Sequence, residues 1–448
     1  MSEKIFVADK ATLDNVDKNV QRLADALISG EAAVYGMIVH EDDLNPATRV
    51  EYIGANKDFT PMSMDYGTHK MNYGDWADWG WLKANVPVMA NFDGGIEYYL
   101  DPDDYTKKAD KTTASDVGNE SFSGDAMAVI KKIYKKEWKA GHDRYVLFSE
   151  EQLDPDFLPV GFDVGGKVRD YMLIPMFYGS IDSTGKMRSL SRAWSCLTAS
   201  GSHADVDGTV AAALEESAGI TTEIQYKALQ NASKNSLFFG GPLVQTLSDI
   251  CYMLTKGTNS QAKFGNGVCS TYNAEGSTKE NHYSTLQNAV VPGGQFYGTN
   301  DSKSFCKIFH SAVLGSYMLW QRDPYVLLDK GRLKVSTDYT YSLTGEGYLD
   351  TGMDFDPADT NVHYYPYTNV VKGYGALPRF DAQDKATTAL GYCDGIWANK
   401  ADVRVSLRFG DSSSGLGCGL SARNLADVAA HAWWHLGASK LLPGPAAA

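Results

Sequence analysis

Near the C-terminus the side chains whose types and spacing could do chemistry are two histidines four residues apart, His431 and His435, and two cysteines, Cys393 and Cys418. On a helix the i,i+4 histidines could share a zinc ion, but no H-E-x-x-H glutamate accompanies them. The segment reads as strand instead, where both rings lie on one face about 13 Å apart. A reactive thiolate needs nearby positive charge or a resolving thiol. Cys393 and Cys418 could meet in space, but their plainer reading is as small buried residues, Cys418 being held between Gly417 and Gly419. Farther upstream, Asp75 and Asp78 in YGDWADWGW could form the carboxylate pair that sugar hydrolysis requires. The simpler reading of that stretch is a Trp/Tyr packing cluster or a sugar-stacking surface. Asp101–Asp104 and Asp354–Asp359 offer hard oxygens that suit calcium, yet both also read as ordinary Asp-Pro turns, and no D-x-D-x-D-G loop is present. GLGCG at 415–419 is a tight turn outside any βαβ unit, and a G-x-S-x-G elbow is missing. These residues point to a protein that is not an enzyme and carries no cofactor, calcium being the one exception left open.

The elements that position these side chains follow from composition and pattern. The chain has 448 residues, enough for two or three domains, and 43% hydrophobic content to build their cores. With 41 Lys+Arg against 55 Asp+Glu the net charge is -14, which disfavours nucleic acid and anionic membranes as partners. No run of about 18 apolar residues occurs and the N-terminus is too polar for a secretory signal, so neither membrane insertion nor secretion is expected. The six cysteines lie far apart with no C-x-x-C pair and read as reduced core residues.

Gly, Pro and aromatic usage predicts an α+β chain, mainly β and loop-rich. Leu13, Val16, Val20, Leu23 and Leu27 recur at steps of three and four, predicting an amphipathic helix over 1–30. It either packs on its own domain or forms a short trimeric coiled coil or docking helix. Apolar runs with turn chemistry predict a β-rich domain over 31–165, in which GDAMAVIKKIYKKEW reads as one short helix or a long strand. Gly165-Gly166 suggests a boundary, leaving 166–448 as a second large domain. Within it, GGPLVQTLSDICYMLTKG fits a helix with Pro242 in its first turn, and LKVSTDYTYSL fits a strand. In VRVSLRF, Val403, Val405, Leu407 and Phe409 alternate with Arg404, Ser406 and Arg408, predicting a half-buried strand. HAWWHLGAS predicts another, with His431, Trp433 and His435 on its outer face. Between them the small residues of GDSSSGLGCGLSARN predict a tight scaffold from which Asp411, Leu416, Leu420 and Arg423 project.

Arg408-Phe409-Gly410, then Asn424-Leu425, then Trp434-His435-Leu436-Gly437 resemble the end of the C-type-lectin-like fold of formylglycine-generating-enzyme-type domains. There a strand ending in an Arg-x-Gly turn precedes a small-residue loop, an Asn-Leu step and a closing Trp-x-φ-Gly strand. The family's Gly-Gly-x-Trp after the Arg is absent, the chain reading Phe-Gly-Asp-Ser instead. TRVEYIG and the stretch from YYLDPDDY to KKEW resemble bacteriophage virion proteins of viruses that infect Gram-positive gut bacteria. Phage proteins of this kind, including the major tropism determinant family, present the fold's last strands to a host receptor, and some are diversified there by retroelements.

The resemblance implies a C-type-lectin-like C-terminal domain and a structural adhesion protein of the virion, made in the host cytoplasm. Its expected partners are a host-surface protein or glycan and other virion proteins, and it is expected to assemble as a homo-oligomer, a trimer. By position the display face would comprise Asn399, Lys400, Asp402, Asp411, Ser413, Leu416, Leu420, Arg423, His431, Trp433 and His435. The alternatives are a capsid decoration or head-fibre protein and a polysaccharide-acting enzyme.

Overall fold

The computed structural model describes residues 33–191, 220–269, 293–301, 304–355, 363–364, 367–379, 394–432 and 435–446. The helix expected over 1–30 lies outside them, as do Cys196, Cys393, Trp433, Trp434 and most of the second Asp-rich turn.

The described chain is mainly β. It runs through β1 (Tyr35–His40), β2 (Val50–Gly54), β3 (Pro87–Asn91), β4 (Ile96–Tyr99), β5 (Gly124–Lys131), β6 (Tyr134–Ala140), β7 (Asp143–Ser149) and β8 (Tyr171–Pro175). Helix α1 (Thr222–Ala232), β9 (Leu237–Phe238) and helix α2 (Gly241–Thr255) follow. The C-terminal part adds β10 (Trp320–Asp329), β11 (Arg332–Val335), β12 (Leu349–Asp354), β13 (His363–Tyr364), β14 (Thr368–Val371) and β15 (Gly375–Pro378). It closes with β16 (Gly395–Ala398), β17 (Val403–Arg408), β18 (Arg423–Leu425), β19 (Leu436–Gly437) and β20 (Lys440–Pro443). Among the described residues the three large sheets have strand orders β2-β1-β7-β6, then β9-β20-β8-β5-β3-β4, then β12-β11-β10-β17-β18-β16-β13, where β19 adds to β10 in parallel. The hairpin β14-β15 stands beside them.

Several expectations change. GDAMAVIKKIYKKEW forms neither a helix nor one strand: β5 is buried on both faces in the middle sheet, and β6 is an edge strand of the first. The chain does not separate at residue 165. Strand β8 lies between β5 and the C-terminal β20, so segments from both sides of 165 share one sheet. The main core cluster runs from Met37 to Leu441. Only Leu333–Val335 of LKVSTDYTYSL is strand, at the end of β11.

Helix α2 begins with Pro242 in its first turn, as its sequence dictates. All fifteen of its residues are buried, so it is a central helix and not an amphipathic surface one. Trp76, Trp79 and Trp81 of YGDWADWGW are core residues, with ring centroids 5.5 and 5.0 Å apart along the series. Asp75 accepts a hydrogen bond from Thr60 N–H, and Asp78 pairs with Lys83, so the two carboxylates serve the turn and do not converge.

Three buried ion networks tie sequence-distant segments together. Asp249 of α2 meets Lys135 at 2.6 Å and Arg144 at 2.9 Å, and Glu137 pairs with both bases. Burial opposes ionisation of Asp249, but the two cations hold its carboxyl below the usual range. Asp125 joins Arg188 and Lys440, clamping β5 to β20. Asp323 joins Arg408 and Arg423 beneath the C-terminal segment.

Candidate functional site

The C-terminal segment is built outward from Asp323 on β10. Its Oδ1 accepts the N–H of Gly241 at the start of α2, 2.8 Å away, where the helix dipole favours an anion. Its Oδ2 lies 3.1 Å from Arg423 Nη1 and 3.7 Å from Arg408 Nη1. Arg423 also donates to Ser406 Oγ at 2.9 Å and to Tyr374 OH at 3.0 Å. Charges this deep persist only when paired and hydrogen-bonded on several sides, as these are.

Strand β17 is therefore buried on both faces, not half-buried. Arg404, Ser406 and Arg408 are 8%, 0% and 0% exposed: Asn399 holds Arg404, Arg423 donates to Ser406, and Arg408 reaches Gly241 O at the start of α2. Leu420 and Arg423, expected on the display face, are interior at 0% and 1% exposure. Asp411, at 2%, is buried as well and cannot project toward a partner.

Asp411 instead organises the loop that follows β17. It accepts hydrogen bonds from Ser413 N–H, Ser413 OH and Ser414 OH at 2.7–2.9 Å. Gly410 (φ 97°) turns the chain here, where a Cβ would stand 2.4 Å from Cys418 Sγ. Gln261 fastens the far side of the turn by donating to the carbonyls of Gly415 and Cys418. These bonds present Ser413, half-buried, and Leu416, 56% exposed at the tip of the short helical turn Gly415–Gly417.

The second part of the face starts at β16 and β18, which pair in parallel. Asn399 N–H donates to Leu425 O, and Arg404 Nη2 donates to Asn399 Oδ1 at 3.2 Å. The exposed Lys400 and Asp402 follow in the turn into β17, Lys400 beside Gly331 and Asp402 3.8 Å from Arg404, while the carbonyl of Asp427 accepts Val405 N–H. Asp427 holds the His431 ring at 2.7 Å and accepts from the Asn424 amide.

His431, Ala432 and His435 of the expected HAWWHLGAS strand are not in strand conformation. His431 lies in irregular chain, and regular pairing resumes only at Leu436 beside Trp320. Trp433 lies outside the described residues. His435 lies 4.0 Å from Asp411 and within the fields of Asp427 and Arg322. Burial pushes its pKa down despite the two carboxylates. Arg322 itself, pushed down to about 10 by burial, donates to the carbonyl of His431.

The strand registers place Ser413, Leu416 and His435 at the end of the eight-stranded sheet where β17 closes at Arg408, and Asn399, Lys400 and Asp402 at the opposite end, beside the β10–β11 turn, with His431 held at Asp427. Sequence reasoning missed Arg322, Asp323 and Asp427. The i,i+4 spacing of Asp427 and His431 was a signal for the last. No local pattern points to Asp323, whose partners lie 82 to 100 residues away.

Cys251, Cys269, Cys306 and Cys418 are buried thiols without disulfides. Asp101 and Asp104 accept backbone N–H groups within their own turn. Among the described residues no group of three or more His, Cys, Asp or Glu side chains is placed to hold a metal ion. Among them, too, no helix is long and apolar enough to cross a membrane. No protein-family model matches the chain, and no curated protein matches it.

Proposed function

We propose that the chain is a bacteriophage structural adhesion protein that binds a host-surface protein or glycan through its C-terminal face, without catalysis. The observation that carries this reading is the contrast within residues 394–443. A fully buried frame of ion pairs holds short loops at the two ends of β17, on which Lys400, Asp402 and Leu416 are exposed and Ser413 and His431 half-buried. Such a frame keeps its shape whatever side chains stand on its loops, which suits a recognition surface.

The order of elements agrees with a C-type-lectin-like ending. A strand closes at Arg408, Gly410 turns, a small-residue loop follows, Asn424-Leu425 joins the sheet and Leu436-Gly437 closes it. Trimeric assembly on the particle would multiply weak contacts into avidity. The test is binding of the fluorescently labelled full chain to host cells. The triple variant Lys400→Ala/Leu416→Ala/His431→Ala should lose at least about tenfold in apparent affinity, or ~1.4 kcal/mol, with its melting temperature preserved. Unchanged binding by that variant would remove the face from consideration.

A further inference from the structure

Strand β6 is the outer strand of the first sheet, and only part of its free edge is covered. At its start Lys135 exchanges both main-chain hydrogen bonds with Leu158, at 2.8 and 2.9 Å. Strand geometry alternates, so the N–H and C=O groups of Glu137 and Lys139 point the same way as those of Lys135. Among the described residues nothing pairs with those groups of Glu137 and Lys139.

A second free edge faces them. In β14, Tyr367 O and Arg379 N–H bond across the hairpin, so Thr368 and Val370 direct their main-chain groups outward. Thr368 is capped: Glu41 accepts its N–H at 3.0 Å and Lys139 Nζ donates to its C=O at 2.8 Å. Val370 has no such partner among the described residues.

Between these edges lies a cavity of about 630 Å³. The Glu41–Lys139–Thr368 clasp closes one end, and the exposed pair Lys372–Asp156, 3.3 Å apart, stands at its rim. Leu158, Val160, Met353 and Val371 supply an apolar wall. The lysines of β6 do not stand free as edge guards, because Lys135, Lys136 and Lys139 are each tied to a carboxylate. The indole N–H of Trp138, which also lines the cavity, is buried without a partner among the described residues.

We propose that this groove is a second binding site, which takes an extended polypeptide segment of a partner protein as an added strand. Main-chain donors and acceptors recur every second residue, about 7 Å apart, along the β6 edge at Glu137 and Lys139, and Val370 adds one more outward pair from β14. An extended peptide repeats its own groups at that interval, whereas a compact ligand does not. Alternate side chains of the segment would meet the apolar wall, so its sequence alternates apolar and polar residues. The proposal is independent of the C-terminal face.

The test uses the full chain immobilised against a random heptapeptide display library, followed by titration of the best synthetic peptide. The expected result is an alternating peptide whose affinity falls at least tenfold in Val370→Pro. That change removes the outward N–H and leaves the bonds to β15 in place. N-methylation of alternate amides of the peptide should weaken it as much, and this decides the matter should Val370→Pro fail to fold. The proposal is overturned if no peptide is enriched above an unrelated control protein, or if both substitutions leave affinity unchanged. It is also overturned if chitohexaose or maltoheptaose binds and displaces the peptide, which would make the groove a saccharide cleft.

Discussion

Asp394 stands directly before β16, fully buried, and accepts hydrogen bonds from Ser421 N–H at 2.7 Å and Tyr252 OH at 3.4 Å. Burial outweighs these donors and pushes its pKa up to about 7. From about pH 4, where the unfolded carboxyl ionises, to pH 7, the folded chain keeps a proton that the unfolded chain has lost. Its contribution to stability therefore falls as pH rises through that window, by up to about 1.4 kcal/mol per unit, and levels off above it. His435 acts in the opposite sense: its lowered pKa costs stability as pH falls below the ordinary value of about 6.5. A difference measurement separates the two. Asp394→Asn should gain on the wild type in urea unfolding from pH 5 to pH 7 and hold its gain at pH 8. Parallel stability curves would show that Asp394 does not titrate in that range.

Strand β17 shows how an element can be read correctly and placed incorrectly. Its alternation was legible as a strand over Val403–Phe409, and the structure has it over Val403–Arg408. What the pattern did not reveal is that the polar residues also face inward, where Asn399 holds Arg404, Arg423 donates to Ser406 and α2 supplies Gly241 O and Gln245 Oε1 near Arg408. Arg404, Ser406 and Arg408 resemble a solvent face by residue type alone. The same limit misplaced Leu420 and Arg423, which are interior, whereas Lys400 and Leu416 are exposed and Ser413 is half-buried. Asp323→Ala would leave Arg408, Arg423 and the Gly241 N–H without their shared acceptor. The expected loss is about 3–5 kcal/mol in urea unfolding, the usual result of stripping one partner from a buried ion network. A loss under about 1 kcal/mol would mean the two arginines find other acceptors.

At the scale of the molecule, the middle sheet decides the organisation. Strand β20 reaches back across 269 residues to pair Leu442 with Leu173, and β8 in turn pairs with β5. Lys440 and Asp125 add a buried ion pair across the same sheet. Fragments 31–165 and 166–448 expressed apart should therefore each lack a cooperative thermal transition by circular dichroism, while the intact chain unfolds in one. A separately folding 31–165 fragment would restore the boundary expected at Gly165-Gly166.

The acidic balance, the predominance of short strands, the helix that starts at Pro242 and the tight turn at Gly415–Gly417 were all determined by the sequence itself. Each depends on local backbone preference, net charge or a periodicity of a few residues. Tertiary structure alone decided which carboxylate neutralises Arg408 and Arg423, which faces of β17 see water, and that β6 and β14 leave their edges facing each other. Those outcomes depend on pairings between residues tens to hundreds of positions apart, and desolvation acts on a side chain only after such pairings have closed around it.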